Sequence, residues 1–97
     1  MNETKTCPVR FQRKADLMGA PVHDELVLLH VDKGQYYSLR GLGPDLWGIL
    51  ETPHSLDELL DWVCTEYEVS RVIALMDIEQ FLLELRKIEA IEVIESA

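Results

Sequence analysis

Cysteine is scarce in this sequence, and so are bases, histidines and long apolar runs. Two cysteines, Cys7 and Cys64, are too few and too far apart for a disulfide framework or for a zinc site, which takes four ligands at short spacings. Both read as free thiols in a reducing compartment, with Cys64 a small apolar residue of a helix rather than a nucleophile. The three histidines, His23, His30 and His54, are not spaced like a metal pair, so no metal ligand is expected. Lysine and arginine number 9 against 18 aspartate and glutamate, a formal net charge of -9. Such a field repels phosphate polymers and anionic lipid, which speaks against nucleic acid and membrane as partners. No apolar run approaches the roughly 20 residues of a membrane span, and no signal peptide is recognisable, so a cytoplasmic location is expected. Glycine-rich phosphate loops and the Gly-x-Ser-x-Gly elbow are missing, and Gly41-Leu42-Gly43 is too short to cradle phosphate. Neither a catalytic residue nor a cofactor is expected.

What the chain does contain is a core. Apolar residues make up 47% of its 97 positions against 28% charged, enough for one folded domain and too short for two. Residues 1–15 are polar and aperiodic and read as a flexible N-terminal arm, leaving residues 16–97 as the single domain. Leu17-Met18-Gly19, closed by Ala20-Pro21, suggests a brief first strand. The β-formers of residues 25–31 end at Asp32-Lys33-Gly34, a turn signal, and Gln35-Tyr36-Tyr37-Ser38-Leu39 follows at once, so a β-hairpin is expected.

From residue 43 the period changes from two to 3.6. A short helix is expected over residues 45–51, opened by Gly43-Pro44. Ser55 stands three residues before Glu58, a capping-box pattern that launches a second helix to about Tyr67. Ser70 is the candidate cap of a third helix running to about Glu89, and residues 91–94 read as a short terminal strand. The expected fold is α+β and winged-helix-like: a three-stranded antiparallel N-terminal sheet packed on three helices, with a short C-terminal strand.

The third helix has two apolar faces. Ala74, Ile78, Phe81, Leu82, Leu85 and Ile88 share one side, the core stripe. Val72, Met76 and Leu83 fall nearly opposite, flanked by Leu75, Glu79 and Arg86, where a surface helix should be polar. Three occupants fit this second stripe: residues 1–15 folded back, a second copy of the chain in a homodimer, or an extended peptide. A peptide would also find the unpaired edge of the Gln35 to Leu39 strand, the β-augmentation mode of recognition. Strand alternation assigns Tyr37 and Leu39 to the core side and turns Tyr36 outward, as a cover on the sheet or a ligand contact.

Asp32-Lys33-Gly34-Gln35-Tyr36-Tyr37-Ser38-Leu39, then Leu42-Gly43 and Leu46-Trp47-Gly48-Ile49-Leu50, resembles the PqqD-like family, also called RiPP recognition elements, RiPP denoting a ribosomally made, enzymatically modified peptide. The likeness continues through Ser55-Leu56-Asp57-Glu58-Leu59 and the Phe81-Leu82-x-x-Leu85 pattern. One position departs, since Arg40 stands where family members often carry asparagine. The resemblance implies a domain without catalysis that binds a precursor's leader peptide as an added β-strand between its third strand and third helix. Those elements correspond to Gln35, Tyr36, Tyr37, Ser38 and Leu39 and to the helix bearing Val72, Leu75, Met76, Glu79, Leu83 and Arg86. Within the family, a free-standing copy of this length looks like the recognition protein of lasso-peptide biosynthesis, implying a leader peptidase and a cyclase as enzyme partners. The alternative within the family is a PqqD-type chaperone serving a radical S-adenosylmethionine enzyme.

A reading from another class, a winged-helix DNA-binding regulator, needs a basic recognition helix. The third helix instead sets Arg71, Arg86 and Lys87 against Asp77, Glu79, Glu84 and Glu89.

Overall fold

A computed structural model describes residues 9–95. Strands β2 (Leu17–Val22), β3 (Glu25–His30) and β4 (Gln35–Leu39) pair antiparallel in the order β2-β3-β4. Alternation explains their burial: Leu28 is 1% exposed and its neighbour Leu29 43%, because successive side chains of a strand leave opposite faces. The turn between β3 and β4 needs a left-handed residue, which Gly34 supplies at φ 63° while its N–H donates to the His30 carbonyl at 2.9 Å.

Helix α1 (Gly43–Ile49) carries Pro44 in its first turn, where a missing N–H costs nothing. Helix α2 (Leu56–Glu66) begins with the capping box expected from the sequence. The Ser55 hydroxyl accepts from the Glu58 N–H at 3.2 Å, and Glu58 Oε1 accepts from the Ser55 N–H at 2.8 Å. Helix α3 (Arg71–Lys87) is capped by Ser70, whose hydroxyl accepts from the Ile73 N–H. It stops short of the expected end because Glu89 turns left-handed at φ 58° and Ala90 donates back to the Leu85 carbonyl at 2.8 Å. That arrangement satisfies carbonyls the helix leaves open. Lys33 holds Glu89 from the hairpin turn at 2.9 Å.

The N-terminal segment differs from expectation. Val9–Arg13, expected within the flexible arm, is strand β1, the centre of a second antiparallel sheet between β5 (His54–Ser55) and β6 (Ile91–Glu95). The terminal strand is therefore no isolated tail: Phe11 faces Val93 and Arg10 faces Ile94 in register. Arg13 fastens β1 to α1, its N–H on the Leu50 carbonyl at 2.9 Å and its guanidinium on the Trp47 carbonyl at 3.1 Å and over the Trp47 ring. Val9, Arg10, Phe11 and Gln12 do alternate apolar with polar, but so short an alternation beside a polar segment is a weak signal, and partners distant in sequence make it a strand. Residues 1–8 of the expected arm lie outside the described residues.

The core lies between the β2-β3-β4 sheet and the helices. Leu28, Leu46, Leu50, Leu59, Val63, Ile78 and Leu85 are fully buried in it, each contributing about 1.5–3 kcal/mol. The fold is α+β, as expected, with two three-stranded sheets rather than one. Among the described residues no helix is long and apolar enough to cross a membrane.

Candidate functional site

β4 is an edge strand. β3 pairs with one side of it, so among the described residues the backbone N–H and C=O groups on the other side have no strand partner. Beside that edge lies a cleft of about 270 Å³. Tyr37, Ser38 and Leu39 form its strand wall; Arg40, Leu42, Gly43 and Leu46 close one end; Asp77, Gln80, Phe81 and Glu84 of α3 form the opposite wall. Gly43 is required where α1 meets β4, since a Cβ there would stand 2.9 Å from the Leu39 Cβ.

Polar contacts organise the walls. The Tyr37 hydroxyl donates to Glu84 Oε1 at 3.0 Å, linking strand to helix, and Gln80 Nε2 donates to Glu84 Oε2 at 2.8 Å. The amide of Gln80 first, and the Tyr37 hydroxyl second, hold the Glu84 carboxyl below its ordinary range. Burial, reinforced by that carboxylate, pushes the Tyr37 phenol up. Arg40 pairs with Glu25 at 3.1 Å. Asp77 has neither a hydrogen bond nor an ion pair from its side chain among the described residues. The cleft thus offers an apolar floor, an open backbone edge and an acidic helix wall, a combination suited to holding an extended chain rather than a compact drug-sized molecule.

The sequence-predicted strand residues are divided between two places. Tyr37, Ser38 and Leu39 line the cleft, whereas Gln35 and Tyr36 border only a smaller cavity of about 30 Å³, with His30, Ile88 and again Tyr37. Tyr36 points away from the core and is 76% exposed. Of the predicted helix residues, Val72, Met76, Glu79, Leu83 and Arg86 are exposed and Leu75 is partly buried against the core. None of the six lines the cleft. A helix turns about 100° per residue, which puts this set on one flank of the core stripe and the cleft set of Asp77, Gln80, Phe81 and Glu84 on the other.

On the helix wall, three of the four cleft residues that sequence reasoning missed, Asp77, Gln80 and Glu84, are polar, and a search for apolar stripes passes over them. Phe81, a core-stripe residue by its period, is partly buried and serves both core and cleft. The one available signal was an aromatic at the margin of the core stripe with Asp77 four residues before it and Glu84 three after. Elsewhere, Cys64 is a partly buried free thiol, and no group of His, Cys, Asp or Glu among the described residues is placed to hold a metal ion.

Comparison with known proteins places the molecule. The family described as coenzyme PQQ synthesis protein D (PqqD) matches residues 25–91, more than half of the chain. No curated protein matches. Among solved structures, TbiB1 in complex with the TbiA(beta) leader peptide is 33% identical with a TM-score of 0.74, over 84% of this chain and 94% of that one. Lasso peptide synthetase B1 complexed with the leader peptide is 24% identical with a TM-score of 0.73, over 84% of this chain and 96% of that one, a likeness that speaks for the fold. The α+β fold, the family match across both cleft walls and the 33% identity together make this chain a member of the PqqD family, the RiPP recognition elements.

Proposed function

We propose that this protein captures the leader of a ribosomally made precursor peptide as an added strand on β4, in the cleft facing α3, and presents it to modifying enzymes without chemistry of its own. The observation that carries this reading is the open edge of β4 running beside a 270 Å³ cleft with an apolar floor. A backbone edge binds any extended sequence, and side-chain pockets supply selectivity. Four or five main-chain hydrogen bonds, at about 1 kcal/mol net each, barely offset the ordering of a flexible peptide. Two or three apolar anchors at roughly 1.5–3 kcal/mol each bring binding into the micromolar to nanomolar range.

Both structural neighbours are leader-peptide complexes, and one of them is named a lasso peptide synthetase B1; this supports the lasso-pathway reading, with a leader peptidase and a cyclase as the enzymes served. The family match, named for coenzyme PQQ synthesis, supports the second reading, a chaperone for a radical S-adenosylmethionine enzyme. The test is a titration of isotope-labelled protein with synthetic TbiA(beta) leader peptide. Amide resonances of Gln35–Leu39 and of residues 77–84 are expected to shift together; a spectrum that stays still at both walls rejects strand addition at this cleft.

A further inference from the structure

The charges of the cleft are unevenly satisfied. Glu84 has both oxygens occupied by Tyr37 and Gln80, and Arg40 is occupied by Glu25. Asp77 alone among the three charged lining residues has no partner among the described residues. It stands one helical turn before Phe81, beside an apolar floor of Leu39, Leu42 and Leu46. A peptide laid over that floor strips water from the Asp77 carboxylate, which is unfavourable unless the peptide brings a cation.

The spacing is set by two regular structures. Residues four apart on a helix are neighbours at about 5–6 Å, and side chains two apart on a strand share a face at about 6.5–7 Å. A strand laid along α3 with one side chain seated against Phe81 places its same-face neighbour beside Asp77 when that neighbour lies towards the start of the helix.

Resting on the leader-capture reading, we infer that Asp77 is a specificity-determining residue and that the cleft selects peptides carrying lysine or arginine two residues from an apolar anchor. The chain's net charge of -9 favours any basic peptide at long range, so the test must separate Asp77 from that general field.

Random twelve-residue peptides displayed on phage are panned against the full-length protein and against Asp77→Lys, with Glu66→Lys on α2 as a control that changes net charge equally. Wild type and Glu66→Lys are expected to enrich an apolar anchor with a base two positions away; Asp77→Lys is expected to lose that base or replace it with an acid. In fluorescence anisotropy, changing the selected base to glutamate should weaken binding to wild type by about five- to tenfold, the scale of a partly desolvated ion pair. The same change should strengthen binding to Asp77→Lys. Asp77→Asn, nearly the same size, should weaken the basic peptide too, and circular dichroism confirms that each variant is folded. Peptides enriched without regard to charge, or equal behaviour of Asp77→Lys and Glu66→Lys, overturn the role of Asp77 and leave peptide capture standing. Enrichment of no sequence over a blank surface overturns both.

Discussion

The Tyr37 hydroxyl donates to Oε1 of Glu84 at 3.0 Å, and this bond joins the edge strand β4 to helix α3 across the cleft that both line. Glu84 is thereby shared between two donors, Gln80 on its own helix and Tyr37 on the sheet. The strand and helix walls are held in one geometry before any ligand arrives, which lowers the ordering needed on binding.

Replacing Tyr37 with phenylalanine should destabilise the protein by about 0.5–1.5 kcal/mol at neutral pH, the net value of one hydrogen bond. The pH dependence follows from the shift at Glu84. Its carboxyl is held low in the folded state, so its contribution is complete above the unfolded carboxylate value of about 4.3 and fades as pH falls through the lower folded value. Urea denaturation of wild type and Tyr37→Phe at pH 7 and pH 3 should show a gap that narrows in acid. At the alkaline end the sign reverses for the phenol: Tyr37 is raised, so its contribution holds below its unfolded value of about 10 and is lost as pH climbs through the higher folded one.

Ser55→Ala removes one half of the capping box and should cost about 1 kcal/mol of stability, measured by the same denaturation. The Glu58 carboxyl should nevertheless stay low in a nuclear magnetic resonance titration. Its main cause is the hydrogen bond from the Ser55 backbone N–H, which alanine also carries.

Two glycines beside the cleft separate strain from crowding. Gly41 has φ 59° and open space around its missing side chain, so Gly41→Ala should cost about 1–2 kcal/mol through left-handed backbone alone. Gly43→Ala drives a methyl group against Leu39 and should cost about 1–3 kcal/mol by overpacking. Only the second should also weaken leader binding, since Leu39 and Gly43 both line the cleft; isothermal calorimetry with TbiA(beta) leader peptide distinguishes them.

The two flanks of α3 differ in what their variants should do. Leu83→Glu lies outside the cleft on an exposed position and should leave leader affinity within about twofold, as surface changes do. Phe81→Ala removes the aromatic of the helix wall and should weaken binding by on the order of 1.5–3 kcal/mol. Thermal melts run alongside show how much stability Phe81→Ala loses from the core it also touches. Strong loss of affinity in Leu83→Glu would return the binding face to the other flank.

Much of this fold was legible because its signals are local. The Asp32-Lys33-Gly34 turn, the Ser55 and Glu58 capping box, the Ser70 cap and the 3.6 period of α3 each depend on residues within one or two turns of one another, and each appears where expected. The core stripe of Ala74, Ile78, Leu82 and Leu85 was equally readable, since burial of one helix face follows from period alone. β1 was legible only in the brief alternation of Val9, Arg10, Phe11 and Gln12. Val9–Arg13 becomes a strand because β6 lies beside it, and that pairing joins opposite ends of the chain.

The site shows the same division more sharply. Local pattern was enough to show that β4 ends the hairpin with one side unpaired by β3, that Tyr37 and Leu39 turn inward, and that α3 carries a core stripe and a second apolar stripe nearly opposite it. It favoured the flank of Val72, Met76 and Leu83 because that one is apolar. That the polar flank of Asp77, Gln80 and Glu84, with Phe81 at its margin, meets β4 emerges only from the packed molecule. The physical reason is that a helical period specifies angles around an axis but not which side a neighbouring sheet lies on. That choice is made by handed packing between elements far apart in sequence.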